Sequence, residues 1–179
     1  PSMLDRAEQG AERARKGTGY IEDPKAMRPV MASAIMANNV QVAYAAFVAG
    51  VTAGLGTAYV LVNNGVSIGA VFGLYHAKGI LPLLLAFVAP HGVLELSAIA
   101  IAGGAGLLLA AAILIPGART RREALVANGR VAIHLILATT LMLIVAGALE
   151  GLVSPIPDWP LAWKLWVSAL TGVLFALWL

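Results

Sequence analysis

The sequence predicts an all-α fold: a polytopic transmembrane helix bundle of about five spans, with a broken or kinked second span. Of the 179 residues, 60% are apolar and only 12% are charged, against about 25% charged residues in a typical soluble domain. The mean hydropathy is +0.85, and apolar stretches of the ~20 residues that a membrane helix needs recur along the chain. We therefore expect a multi-pass protein of the cell membrane, with lipid as its main surroundings.

Composition also excludes several classes of function. The chain has no cysteine, which rules out disulfides, thiolate metal ligands and cysteine nucleophiles. Its formal net charge is only +3, and it lacks the basic, aromatic-containing face that nucleic-acid binding requires. The first residues are polar and do not resemble a signal peptide. The chain begins at Pro1 without an initiator methionine, which we interpret as a processed product or a fragment.

Two regions are expected. Residues 1–28 carry six basic and five acidic side chains and are predicted to be a polar arm or linker. Residues 29–179 are predicted to be the transmembrane helical bundle. Its five apolar stretches cover approximately 30–62, 66–89, 90–116, 131–153 and 161–179.

Turn-forming residues set the expected boundaries of these stretches. Asn63-Asn64-Gly65 is expected to close the first stretch, and Pro90-His91-Gly92 to open the third. The second stretch is interrupted by a histidine, a lysine, a glycine and a proline between residues 76 and 82. It is either one kinked span or two half-helices that re-enter the membrane.

The distribution of charge predicts the topology. Loop 118–130 carries four arginines and one glutamate, so the positive-inside rule places it in the cytoplasm. The opposite loop, 154–160, carries Asp158 and no basic residue. If stretch 66–89 spans once, residues 1–28 lie outside; if it re-enters, they lie in the cytoplasm. Lys164 is expected to be an interface anchor, or else to pair with Glu150 or Asp158.

Five polar residues within the apolar stretches are the candidate site. His91 and Glu95 are four residues apart and therefore share a helix face. Ionisable groups inside a membrane are costly and often mark function. We prefer the external location of residues 1–28 because it gathers all five in the outer leaflet. The predicted polar intramembrane cluster is Asn38, Asn39, His91, Glu95 and Glu150.

Three interpretations of this cluster remain open at this point. Its members would hold the helices together by hydrogen bonds worth on the order of 1 kcal/mol each. Alternatively, His91, Glu95 and Glu150 would bind a divalent metal, which would permit hydrolysis if water reached it. The third interpretation is a proton or solute pathway. No catalytic residue is assigned, and we favour a protein that is not an enzyme.

Glycines at spacing four occur in three places: at 50 and 54, at 65, 69 and 73, and at 147 and 151. This spacing allows helix backbones in lipid to approach closely. It predicts tight packing within the chain, or a homo-oligomer formed through the glycine-rich faces.

Several of these motifs resemble the stage II sporulation protein M family. They are Asn38-Asn39, Asn64-Gly65, Pro90-His91-Gly92-x-x-Glu95 and Glu150-Gly151. The resemblance covers residues 32–179 and implies a sporulation-related membrane scaffold or anchor that positions peptidoglycan-remodelling partners in the cell envelope. It carries over no catalytic residue. The alternatives are a transporter or permease-like protein and a metal-dependent intramembrane hydrolase.

Overall fold

The computed structural model describes residues 5, 8–9, 11–13, 16, 24–153 and 159–178. This part of the chain contains no β-strand, and the predicted all-α fold is confirmed. The long helices of this part of the chain are α1 (Pro24–Val48), α2 (Leu55–Ala77), α3 (Leu81–Leu114), α4 (Arg121–Leu152) and α5 (Leu161–Trp178). A 3-10 turn, Ala49–Val51, lies between α1 and α2.

Four segments are long and apolar enough to cross a membrane, and a shorter apolar helix follows at Leu161–Phe175. The four segments are Ser33–Val51, Leu55–Ala77, Leu81–Leu114 and Arg121–Leu152. The predicted number of about five spans agrees with these helices. Helix α3 has 34 residues, so it is about 51 Å long at 1.5 Å per residue.

The first predicted stretch, 30–62, is divided in the structure. Helix α1 ends at Val48, and Ala53 and Gly54 adopt positive φ angles of 56° and 84° before α2 begins. The predicted turn at 63–65 is wrong, because α2 continues through it. The Asn63 amide donates a hydrogen bond to the Tyr59 carbonyl at 3.0 Å, and this local bond accommodates the asparagine inside the helix.

The predicted break in the second stretch is confirmed and lies at Gly79. This glycine has a φ of +71°. Its N–H donates to the His76 carbonyl, and the Ile80 N–H donates to the Tyr75 carbonyl at 3.0 Å. This pair of bonds is a Schellman motif, in which a left-handed glycine ends the helix. The two halves of the stretch thus belong to α2 and α3, each of which is long and apolar enough to cross a membrane.

The prediction that the third stretch begins at Pro90 is wrong. Helix α3 begins at Leu81 and contains Pro90 in its interior. Pro82 occupies its first turn, where a proline removes no helical hydrogen bond. The predicted end near Pro116-Gly117 is confirmed, because α3 ends at Leu114 and Gly117 has a φ of +65°.

The chain forms two compact units. The first unit comprises Pro1–Met36, Val66–Leu94 and Val145–Leu179, and the second comprises Ala37–Gly65 and Glu95–Ile144. In the first unit, an apolar cluster of Tyr75, Ile80 and Leu84 surrounds the turn between α2 and α3. Most of the predicted arm, and residues 154–158 with Asp158, lie outside the described residues.

Small side chains form much of the core of the second unit. Its fully buried alanines lie on three helices, with Ala43 and Ala46 on α1 and Ala132 on α4. Helix α3 contributes Ala98, Ala102 and Ala105, each 0% exposed. Because alanine and glycine keep side chains short, the helix backbones of this unit are able to approach one another closely.

Candidate functional site

The structure joins two of the predicted cluster residues by a hydrogen bond. Asn39 on α1 and Glu95 on α3 both belong to the second unit. Both side chains are buried, with 9% and 8% of their surface exposed. The Asn39 side chain donates a hydrogen bond to the Glu95 carboxylate, which gives the buried carboxylate a partner. This bond connects α1 to α3 through polar groups inside an apolar protein.

Asn38 does not share this environment. Its side chain is exposed, whereas that of Asn39 is buried. Consecutive helical residues point about 100° apart, since a turn contains 3.6 residues. The Asn38-Asn39 pair therefore presents one amide to the interior and one to the surface.

The other two predicted cluster residues are buried in the first unit. His91 on α3 is 2% exposed, and Glu150 on α4 is 1% exposed. The ring of Phe87, one helical turn earlier, meets the His91 ring edge-on, with the ring centroids 5.8 Å apart and the planes at 81°. His91 and Glu150 thus lie in one unit and Asn39 and Glu95 in the other, and the gathering of all five residues stays a prediction.

Lys164 is a buried ionisable residue that the sequence analysis assigned to the membrane interface. It lies on α5 in the first unit and is only 5% exposed; its role as an interface anchor, or its pairing with Glu150 or Asp158, stays a prediction. Together with His91 and Glu150, it places three ionisable side chains from three helices in the interior of this unit.

The geometry does not support the metal hypothesis. Among the described residues, no group of three or more histidine, aspartate or glutamate side chains is arranged to hold a metal ion. A zinc site takes three or four protein ligands, and metal binding by His91, Glu95 and Glu150 stays a prediction.

Glycines bring the helices of the second unit into backbone contact. A methyl group on Gly50 would overlap the backbone of Gly106, and one on Gly106 would lie 2.5 Å from the Ala46 carbonyl oxygen. Beside this contact, the buried Thr57 hydroxyl donates to that same carbonyl at 2.7 Å. Gly50 therefore serves packing within the chain, as predicted. The sequence analysis missed Gly106, although three glycines between residues 103 and 106 were a visible cue.

The glycines of α2 behave differently. A methyl group on Gly65, Gly69 or Gly73 would meet nothing within 4 Å. Only 6% of the most apolar part of α2 is buried. We call the exposed seam of this helix the α2 face. Its residues are Leu55, Tyr59, Val62, Val66, Gly69, Gly73 and His76, all exposed and spaced alternately by four and three.

Long apolar helices with buried ionisable side chains define an α-helical membrane protein. Residues 3–155 match the family model described as stage II sporulation protein M. The match covers most of the chain, so the protein belongs to this family and the resemblance of its motifs is confirmed. The matched region begins and ends earlier than the predicted 32–179, and it stops before α5. No curated protein and no solved structure shows significant similarity to the chain.

Proposed function

We propose that this protein is an integral scaffold or anchor of the cell membrane that positions cell-envelope remodelling partners. Membership of the stage II sporulation protein M family supports this role. The observation that carries it is the α2 face, an apolar helix surface that is almost entirely exposed. The face contains Gly69 and Gly73, and a third glycine, Gly65, lies beside it.

The glycines are the unusual part of this face, because exposed apolar side chains are ordinary in lipid. A glycine in a helix interior costs about 1 kcal/mol relative to alanine. Gly50 and Gly106 offset such a cost by packing within the chain, but a methyl group on Gly65, Gly69 or Gly73 would meet nothing within 4 Å. Small residues at this spacing favour close packing against another membrane helix. We therefore assign the α2 face to a helix of a membrane-embedded envelope partner.

The α2 face has a direct test with a matched control. Bulky substitutions Gly69→Ile and Gly73→Ile add side chains where the protein has open space, so the fold should tolerate them. Gly104→Ile on α3 is the control, because Gly104 is also exposed with nothing within 4 Å. Tagged protein from native membranes should co-purify a partner that contains a peptidoglycan-binding or peptidoglycan-cleaving domain. The α2 substitutions should remove this partner, and the Gly104 substitution should retain it.

Three outcomes decide the proposal. Equal recovery of the partner by all variants removes the α2 face from the interaction, and no such partner with the unsubstituted protein argues against the scaffold. If analytical ultracentrifugation shows a dimer that only the α2 substitutions dissociate, the face joins two copies of this chain. That result would replace the heterologous partner with a homo-oligomer.

The buried ionisable residues of the first unit favour a transporter as the second candidate. His91, Glu150 and Lys164 lie in the interior on three different helices, and intramembrane groups of this kind often line proton or solute routes. Glu150→Gln in proteoliposomes should then abolish a flux that the exposed-site control Glu123→Gln retains. Absence of proton or solute flux with the unsubstituted protein would dismiss this candidate.

A further inference from the structure

The start of α4 carries a concentrated positive charge. Arg119, Arg121, Arg122 and Arg130 are all exposed, and we call them the arginine face. With Glu123 as the only acid between residues 118 and 130, this segment has a net charge of +3. Of the residues that the structure describes, no acidic side chain forms a salt bridge with any of the four arginines.

The one nearby acid is engaged in capping the helix. The Thr120 N–H and hydroxyl donate to the Glu123 carboxylate at 2.8 and 2.9 Å. In return, the Glu123 N–H donates to the Thr120 hydroxyl at 3.3 Å. This is a capping box, in which the helix satisfies its own first N–H groups. The Glu123 carboxylate is thus engaged in capping the helix, so the arginines are available to bind an external anion.

A shallow groove runs along the arginine face. Its volume is about 360 Å³, and it is lined by Arg122, Glu123, Val126, Ala127 and Arg130. Residues 122, 126 and 130 follow one another at spacing four and therefore share a side of the helix. Arg122 and Arg130 lie near its two ends, about 12 Å apart along the helix axis at 1.5 Å per residue, and the lining between them consists of Glu123 and the apolar side chains Val126 and Ala127.

The surroundings of the groove indicate the nature of its occupant. Ile115, at the end of α3, is 80% exposed, and Val131, beside Arg130, is 53% exposed. The arginine face thus adjoins apolar surface that extends into the candidate span of α4. Guanidinium groups bind phosphate through paired hydrogen bonds, and basic clusters next to a membrane helix attract anionic lipids.

We propose that the arginine face binds the phosphate headgroups of anionic phospholipids in the leaflet that α4 enters first. Arg122 and Arg130 contact the headgroup phosphates, Val126 and Ala127 lie between them at the level of the headgroups, and the acyl chains begin beyond Arg130 at the exposed Val131. An acidic protein segment would also pair with the arginines, but it would leave the apolar side chains of Val126 and Ala127 without an apolar partner. Lipid is therefore the occupant that the charge and the position of the groove favour.

Titration of the purified full chain with phosphatidylglycerol, in neutral detergent and with bound lipids counted by native mass spectrometry, tests this assignment. The variant Arg122→Gln/Arg130→Gln should weaken binding about fivefold for each arginine removed, which corresponds to about 1 kcal/mol per charge near the surface. The control Lys16→Gln/Lys78→Gln removes the same charge from exposed lysines that pair with Glu12 and Glu8. It should bind as the unsubstituted protein does, and added salt should weaken all binding.

Each result bears on the proposal. Selective loss in the arginine variant supports it, provided that the thermal unfolding temperatures of all variants agree. Equal losses in the arginine and lysine variants would show a general charge effect and overturn it. Equal affinity for phosphatidylcholine and phosphatidylglycerol would overturn it as well. If the unsubstituted protein prefers a soluble acidic peptide over the lipid, the face belongs to a protein partner instead.

Discussion

Gly50 and Gly106 meet backbone to backbone, and no side chain fits between them. The contact joins the 3-10 turn after α1 to the C-terminal third of α3. It also places the Ala46 carbonyl within 2.7 Å of the Thr57 hydroxyl. Close glycine packing and a buried hydrogen bond thus reinforce each other in the second unit.

Substitution of Gly106 by alanine should destabilise the protein. The new methyl group would lie 2.5 Å from a backbone oxygen and 2.8 Å from the Thr57 hydroxyl oxygen, and overpacking of this kind costs about 1–3 kcal/mol. Thermal unfolding in detergent, followed by tryptophan fluorescence, should show a lower midpoint. Gly104→Ala on the same helix is the control, because its methyl group meets nothing within 4 Å; an equal shift in both variants would contradict the packing argument.

The Thr57 hydroxyl makes a separate, smaller contribution. Thr57→Val keeps the size of the side chain but removes its donor, at a cost of about 0.5–1.5 kcal/mol. Thr57→Ser keeps the hydroxyl and should restore part of the loss. In the control Thr171→Val, the lost bonds join the hydroxyl to carbonyls of its own helix. Its effect on the unfolding midpoint should be smaller; a larger effect would show that the Thr57 bond contributes little.

Asn39 and Glu95 should prove energetically coupled. In a double-mutant cycle with Asn39→Leu and Glu95→Gln, we expect a coupling free energy of about 0.5–1.5 kcal/mol in the unfolding equilibrium. Asn38→Leu serves as the control, because this neighbouring amide is exposed. Its cycle with Glu95→Gln should give a coupling near zero, and a similar value for both asparagines would argue against the hydrogen bond.

The topology is open to labelling because the chain has no cysteine. In Ala118→Cys, the new thiol lies beside the arginine face, and the positive-inside rule places it in the cytoplasm. In Pro160→Cys, directly before α5 and in the loop that follows α4, we expect it outside. A membrane-impermeant maleimide should label intact cells at position 160 and inverted vesicles at position 118. Labelling of both positions from one side would contradict a single crossing by α4.

Much of the fold could be predicted because it depends on local sequence. Apolar length predicts the spans, and a glycine such as Gly79 ends a helix through its own backbone geometry. The errors arose where a local pattern had two outcomes. Asn63-Asn64-Gly65 is typical of a turn, yet Asn63 finds a partner one turn back in its helix. Pro90 is typical of a helix start, yet α3 accommodates it in its interior.

By itself, the sequence determined the fold class and the family and picked out the ionisable residues within the apolar stretches, because hydropathy and motif identity belong to the chain as written. The tertiary structure alone decided how those residues are used. It separated buried Asn39 from exposed Asn38, showed that Lys164 is buried, and divided the glycines into those packed within the chain and those left on the α2 face. Such distinctions depend on which helix lies opposite each residue, and spacing along one helix cannot specify its neighbour.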